Sequence, residues 1–208
     1  MSRPVSIDKK VILNAAREVF LKNGYSASTG SIARRAGVSE GSLFKHFKTK
    51  TDLFMAAMED DAGIVSWEEK LMAMVGKGDI RSNMELAGSQ IIKNLQVILP
   101  RIMMVRSSGI VLQGQAYSGS GETPHPIRKL YALANYFRAE NKIGRVAIKN
   151  PELDAQMFIG TLVYYVLQKV MFNFRLVAPE EYIKAVVDMF MALHCKKNPE
   201  KGRKDLVK

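Results

Sequence analysis

The chain has 208 residues, 47% hydrophobic and 25% charged, with 31 Lys and Arg against 20 Asp and Glu for a net charge of +11. That composition excludes a disordered or collagen-like chain, and the length suffices for one or two domains with a buried core. A single cysteine, Cys195, excludes an internal disulfide and fits a reducing compartment; the most apolar run, residues 157–167, is too short for a membrane span of about 20 residues.

The charge is unevenly placed. Residues 1–50 carry 10 Lys/Arg and 3 Asp/Glu, residues 51–195 carry 15 of each, and residues 196–208 carry 6 and 2. A neutral body with a basic head points to a polyanion at the head; the alternative is a solvated, solubilising surface. The start, MSRPVSIDKK, lacks the apolar stretch of a signal peptide, so a soluble cytoplasmic protein is expected.

In chain order, Ile12, Ala15, Ala16, Val19 and Phe20 form one apolar helical face that stops at Asn23-Gly24. Ile32, Ala33 and Ala36 mark a second, short helix, and Gly37 is suited to the left-handed turn that ends it. Val38 plugs the turn. Ser39 caps a third helix whose inner residues, Leu43 and Phe47, lie four apart. Two short helices around a tight turn are a helix-turn-helix, the second helix built to enter a DNA major groove. Thr49-Lys50-Thr51-Asp52 is a capping box that opens a fourth helix with Leu53, Phe54, Ala57 and Met58 inward.

The run AAREVFLKNGYSAST followed by IARRAGVSEGSLFKHFKTKTDLF resembles the N-terminal domain of the tetracycline-repressor (TetR) family, over about residues 8 to 56. Beyond that region the likeness lies in length and helical character. The expected fold is all-α. An N-terminal three-helix DNA-binding bundle with helix-turn-helix occupies residues 1–50, and a helical effector-binding and dimerisation domain residues 51–196. Residues 197–208 form a basic, disordered tail, a nonspecific attraction to DNA being its other reading.

In the body, the fourth helix is expected over residues 50–74, ending at Gly76-Lys77-Gly78. Asp79 or Ser82 caps a fifth, with Met84, Ala87, Ile91, Leu95 and Ile98 on one face, which Pro100 interrupts; a short helix follows to residue 107. Residues 114–121 read as a flexible loop, and Thr123 caps a helix to residue 142 with Ile127, Leu130, Leu133, Ala134 and Phe137 inward. Pro151 opens a helix to residue 174, and the last spans 179–196. The apolar arcs of these two are too wide for burial on one side. One reading buries both deep in a single chain. The other gives them a second subunit, through Phe158, Gly160, Val163, Val166, Val187, Phe190, Met191 and His194. The resemblance implies the second, as a four-helix homodimer interface, and two reading helices related by a twofold axis suit a palindromic operator.

On the reading helix the outward residues are Glu40, Gly41, Ser42, Phe44, Lys45 and His46. Gly41 lets the backbone approach the groove. Lys45 can reach a guanine edge or a phosphate, and Glu40 either accepts from a cytosine amine or points into solvent. Ser28 and Thr29 open the second helix, where outward N–H groups suit phosphate, and one of Arg34 and Arg35 is expected to face DNA. The resemblance further implies base-edge contact for Ser42 and phosphate contact for His46 and Lys50. Phe44 and Gly30 depart from it, Phe44 standing where tyrosine is commoner. It also implies a pocket for a small, lipophilic effector. Gln90, Asn94, Asn135, Tyr136, Tyr165 and Gln168 are its polar candidates, and Trp67, Met103, Met104 and Phe137 its apolar ones.

Enzymatic motifs are lacking. His46, His125 and His194 are far apart, Cys195 is alone, and there is no Cys/His metal spacing, no Gly-rich phosphate loop and no Gly-x-Ser-x-Gly. No enzyme, cofactor or metal is expected. The sequence therefore reads as a ligand-responsive repressor, or as a constitutive DNA-binding or protein-recruiting regulator; an enclosed apolar pocket in the body distinguishes the first.

Overall fold

The computed structural model describes residues 8–59, 63–110 and 125–194, with side chains of 125 and 126 excepted. These residues form nine α-helices and no strand: α1 (Lys9–Asn23), α2 (Thr29–Ala36), α3 (Glu40–His46), α4 (Lys50–Glu59), α5 (Glu68–Met72), α6 (Ile80–Ser107), α7 (His125–Lys142), α8 (Pro151–Phe172) and α9 (Pro179–His194). They divide into two compact units, Met1–Ile64 with Gln96–Gln113, and Val65–Leu95 with Gly114–Lys208. The expected loop at 114–121, the Thr123 cap, Cys195 and the tail lie outside the described residues.

In the first unit the boundaries around α1 to α3 and the start of α4 have visible causes. Asp8 caps α1 by accepting the Lys10 N–H at 2.9 Å, and Gly24, at φ 78°, returns its own N–H to the Phe20 carbonyl. Ser28 caps α2, and Gly37 closes it in the left-handed region at φ 69°, with Val38 N–H reaching the Ala33 carbonyl at 3.0 Å. That pair of bonds satisfies carbonyls the helix end would leave orphaned. Thr49 and Asp52 form a reciprocal box at the start of α4, Asp52 N–H to Thr49 Oγ1 and Thr49 N–H to Asp52 Oδ2, both at 3.0 Å. Ile12, Ala16, Phe20, Ile32, Leu43, Leu53, Phe54 and Ala57 fill the core without exposure. Phe20 and Tyr25 both meet Phe54 edge-on, at 5.0 and 4.9 Å, and the Tyr25 hydroxyl shares a 2.8 Å hydrogen bond with Thr51.

The second unit is built around α7 packed on α8, with α9 closing the apolar side. Phe190 stacks on Phe137 at 4.8 Å and takes Phe158 edge-on at 6.1 Å. Asn150 caps α8 at Leu153 N–H, Pro151 sits in its first turn as expected, and Asn173, at φ 49°, ends it. One polar cluster is buried. The fully buried Glu140 carboxylate accepts the Gly76 N–H at 3.2 Å and pairs with Arg145 at 3.3 Å, and Arg145 donates to the Gly78 carbonyl at 2.6 Å. Asn83 joins this cluster by donating to the Lys77 carbonyl and to the Tyr136 hydroxyl. The carboxylate thus has a cation and an N–H in reach, the pairing a buried charge requires.

Three expectations are corrected. The helix over 50–74 is two helices: α4 ends at Glu59, Gly63 lies at φ 86°, and α5 begins only at Glu68. In the gap the Asn94 side chain takes both backbone groups of Val65, N–H to Oδ1 and C=O from Nδ2, each at 2.8 Å. An amide that satisfies an extended residue on both sides removes its need for a helical partner. Conversely, α6 runs unbroken through Pro100. The proline cannot donate to the carbonyl four residues earlier, but Ile91, Ile92 and Val105 on either side are buried and hold the helix. Ile127, expected inward, is 44% exposed, because the buried face of α7 follows Leu133, Ala134, Tyr136 and Phe137. The stop at Gly76-Lys77-Gly78 is observed, both glycines having positive φ, and Asp79 caps α6 through Ser82 N–H at 3.1 Å.

Gly88 of α6 is a point of close approach. A Cβ there would stand 3.0 Å from Ile183 Cγ2 and 3.6 Å from Phe158 Cζ, both on buried residues. Gly88→Ala gains about 1 kcal/mol in helix propensity but overpacks a filled site at about 1–3 kcal/mol. The expected outcome is a lower thermal midpoint, read by circular dichroism; a higher midpoint would show that Ile183 yields freely. Burial above all, and Glu140 nearby, push the Tyr136 phenol up to about 12, against the Asn83 hydrogen bond. The folded state therefore keeps a proton that the unfolded chain loses near pH 10, and stability falls between pH 10 and 12. Tyr136→Phe is expected to flatten that part of the alkaline unfolding profile.

Candidate nucleic-acid interface and ligand cavity

Leu43 and Phe47 pin α3 to the core of the first unit, at 0% and 5% exposure, and this turns Glu40, Gly41, Phe44, Lys45 and His46 outward, all exposed. Phe44 is an apolar ring left 41% exposed on this polar face. Ser42 is half-buried: its N–H bonds the Ser39 hydroxyl at 3.1 Å, and the two hydroxyls share a 2.8 Å bond. Ser39 therefore acts first as the helix cap, and Ser42 offers its hydroxyl beside it.

At the start of α2, Ser28 Oγ accepts the Ser31 N–H at 3.2 Å. Thr29 donates its hydroxyl to the Glu40 carboxylate. Glu40 is thus exposed and tied to α2 through Thr29, a contact that neither reading of the sequence named. Arg35 is bound to Glu18 of α1, Nε at 2.9 Å and NH2 at 2.6 Å, while Arg34 is exposed. Of the two arginines, Arg34 is the one not committed to that ion pair. Both line an open cleft of about 630 Å³ with Lys22, Glu18 and Ser31. Lys50 opens α4 half-buried, its ammonium 4.8 Å from the centre of the Tyr25 ring, and Lys9 lies over Phe47 at 5.3 Å. Aromatic faces hold both ammonium groups by cation–π attraction. Lys48, exposed between them in sequence, adds a charge that the motif reading did not single out.

The second unit contains a cavity of about 190 Å³. Val65, Trp67, Leu71 and Met74 line one side; Asn83, Leu86, Ala87 and Gln90 of α6 line the other. Ser66 and Lys70 add polar groups. Trp67 is buried, and Lys129, paired with Glu68, lies over its ring at 5.8 Å. The Glu68 carboxyl is held below its usual range: bonds from Lys129 and from backbone N–H groups outweigh desolvation, the largest opposing effect. Trp67 and Gln90, both singled out in the sequence, thus line the cavity.

The other effector candidates are placed elsewhere. Asn94 has its amide engaged by Val65. Asn135 is exposed and accepts from Arg138. Tyr136 bonds Asn83 behind the cavity wall, and Phe137 stacks on Phe190 in the core. Tyr165 donates to the Val177 carbonyl at 2.8 Å and stacks on Tyr182, and Gln168 caps the end of α8 through its own carbonyl. Met103 and Met104 are half-buried in the first unit. Asn83, Ser66 and Lys70 were missed because polar residues on an amphipathic helix look alike until one face is known to border a void.

Of the interface candidates, Phe158, Val166, Val187 and Phe190 are buried within the single chain, Val187 completely. Val163 and Met191 are half-buried, Gly160 is exposed, and His194 pairs with Asp154 at 3.2 Å. The large apolar residues left outside are Leu153, Met157, Tyr164, Met171 and Phe172 of α8 and Met189 and Leu193 of α9, from 51% to 69% exposed. Their spacing, with Gly160, makes a second stripe along α8, distinct from the buried one at Phe158, Leu162, Tyr165 and Val166. The wide arc of α8 is therefore two faces, and the interface candidates drew mainly on the inner one. Among the described residues no helix is long and apolar enough to cross a membrane, and no cluster of His, Cys, Asp and Glu is arranged to hold a metal.

Comparison with known proteins agrees with this layout. Residues 12–57 match the family model of bacterial regulatory proteins of the tetR family, and residues 99–195 match that of the AefR-like transcriptional repressor C-terminal domain. The HTH-type transcriptional regulator QacR of Staphylococcus aureus is 41% identical over 63 residues, which cover 30% of this chain and 32% of that relative. The chain thus spans about a third of the length of that curated relative. Among solved structures, a chain from Mesorhizobium loti assigned to the TetR family superposes with a TM-score of 0.71 at 22% identity, covering 90% of this chain and 96% of that one. The regulator FadR of Bacillus subtilis, in complex with stearoyl-CoA, superposes with a TM-score of 0.58 at 20% identity, covering 86% and 96%. At those identities the likeness is one of fold. With a reading head and a C-terminal helical domain that each match their own model, the chain belongs to the tetR family of bacterial regulatory proteins.

Proposed function

We propose that this protein is a cytoplasmic transcriptional repressor that binds a palindromic DNA operator as a homodimer and is released by a small, largely apolar effector. The observation that carries the reading is the outer face of α3. Gly41, Phe44, Lys45 and His46 stand exposed on a helix whose other side is locked into a core. Gly41 gives room for a base edge, Phe44 can pack on a thymine methyl, and Lys45 supplies a donor for guanine. Ser28, Thr29, Arg34, His46 and Lys50 then serve the phosphates on either side, where charge positions the head without reading sequence.

Dimerisation is supported by the outer stripe of Leu153, Met157, Tyr164, Met189 and Leu193. Apolar residues gathered on one face of a folded chain mark an interaction surface. Phe158, Val166, Val187 and Phe190 support that face from beneath. A cavity lined by Trp67, Leu71, Met74 and Gln90 supports an effector site. Its two sides come from α5 and from α6, so a ligand there that favours one spacing of those helices shifts the dimer between states. The cavity is smaller than the usual ligand site of about 300–1,000 Å³, which favours a small effector. The same smallness is what a constitutive regulator without an effector would display.

Salt titration tests the DNA face. Log affinity for a duplex selected from a random pool is expected to fall linearly with log salt, and Lys50→Ala to weaken binding and make the slope about one unit shallower. A flat response would overturn the phosphate assignments. For the dimer, Met157→Asp or Leu193→Asp is expected to give a folded monomer by light scattering, with operator affinity lost. Phe158→Asp should instead unfold the protein, because it places a charge in the core. A wild type that is monomeric at micromolar concentration would defeat the homodimer.

A further inference from the structure

Glu40 is the only acidic residue between Glu18 and Asp52, in a stretch that carries Lys22, Arg34, Arg35, Lys45, Lys48 and Lys50. It is also the first residue of the reading helix. Its side chain is exposed, and it is also tied back to α2. One carboxylate oxygen accepts the hydroxyl proton of Thr29, in the first turn of α2. The other lies 3.7 Å from where a Cβ of Gly30 would be, with nothing closer. A Cβ at residue 30 would meet that oxygen in ordinary van der Waals contact, so it is the Thr29 hydroxyl that fixes the carboxylate's place. Around it, the opening N–H groups of α2 carry the partial positive charge of a helix start.

We propose that Glu40 is an internal competitor for DNA phosphate: an oxyanion of the protein's own, seated on the Thr29 hydroxyl at the start of α2, which a phosphate oxygen of the duplex must displace. The inference rests on the DNA-binding reading above, in which Thr29 serves a phosphate. Carboxylate and phosphate are acceptors for the same proton and carry like charge, so they cannot share the position. Displacement is required for any sequence, and its penalty is uniform. The residue therefore sets how tightly the head holds duplex in general and leaves the preference among sequences to Gly41, Ser42, Phe44 and Lys45. A head held less tightly on random DNA is freed faster to search for its operator.

The test is a double-mutant cycle between Glu40→Gln and Thr29→Val, with affinities measured for a scrambled duplex and for the duplex best bound in a selection from a random pool. Gln keeps an acceptor for Thr29 but no charge, so the head stays folded, which the thermal midpoint checks. Glu40→Gln is expected to tighten both duplexes by roughly 5-fold at low salt, the difference between a charged and a neutral partner for one hydrogen bond. Their ratio should be unchanged, and the gain should shrink as salt rises. In the Thr29→Val background the gain should fall to less than half. Glu40→Gln weakening the selected duplex alone would make Glu40 a base reader and overturn the proposal. So would an undiminished gain with Thr29→Val, which would mean general repulsion without competition. No change in a wild type that binds duplex would refute the competition alone; a wild type that binds neither duplex would remove the DNA-binding reading and this one with it.

Discussion

The seating of Leu43 and Phe47 in the core of the head is the constraint on which the rest depends. Seven residues are too few to hold a helix on their own in water. α3 exists because its cap, Ser39, satisfies its first N–H groups and because two apolar side chains four apart enter a core shaped by Ile12, Phe20, Ile32 and Phe54. Once those two are inside, the rotation of α3 about its axis is set, and with it which residues can meet a groove. The exposed Phe44, Lys45 and His46 are consequences of that rotation. So is the reach of Glu40 toward Thr29, since a residue at the opposite end of the helix could not touch the start of α2.

The second unit solves a different problem. It must enclose a space while pairing its buried polar groups, although Glu140 Oε2 keeps only its ion pair with Arg145 and no hydrogen bond. Asn94 does this for Val65, Glu140 for Gly76 and Arg145, and Asn83 for the Lys77 carbonyl and Tyr136. Each of these residues holds an irregular stretch of backbone near α5 or its flanks, and Asn83 also borders the cavity. The loops around the cavity are thus fixed by specific polar contacts, while the apolar residues Trp67, Leu71 and Leu86 give its surface. Polar clamps with apolar walls suit a site that must keep its shape when empty and still admit a molecule with few hydrogen-bonding groups.

The reading head was legible because its signals are local. Caps at Ser28, Ser39 and Thr49, the stops at Gly24 and Gly37, and the inward pair Leu43 and Phe47 all act within a few residues of themselves, and each appears where the pattern put it. Pro100 and the gap between α4 and α5 were not legible, because burial of Ile91, Ile92 and Val105, and an amide from Asn94 twenty-nine residues away, override the local preference. The mixed burial of the interface candidates has a related cause. Hydrophobicity marks α8 as apolar around most of its circumference but does not say which side meets its own chain. Phe158 and Met157 are neighbours of equal hydrophobic character, and one is 3% exposed and the other 55%.

By itself the sequence determined the all-helical class, the helix-turn-helix and the identity of the residues that α3 presents, since periodicity and capping are properties of neighbours along the chain. Only the tertiary structure decided that Glu40 rests on Thr29, that Asn94 and Tyr136 hold backbone and core, and that Asn83 borders the cavity with Trp67 and Gln90. Those outcomes depend on which surfaces meet after folding. A side chain with several possible partners takes the one that burial brings within reach, and no spacing along the chain encodes that choice.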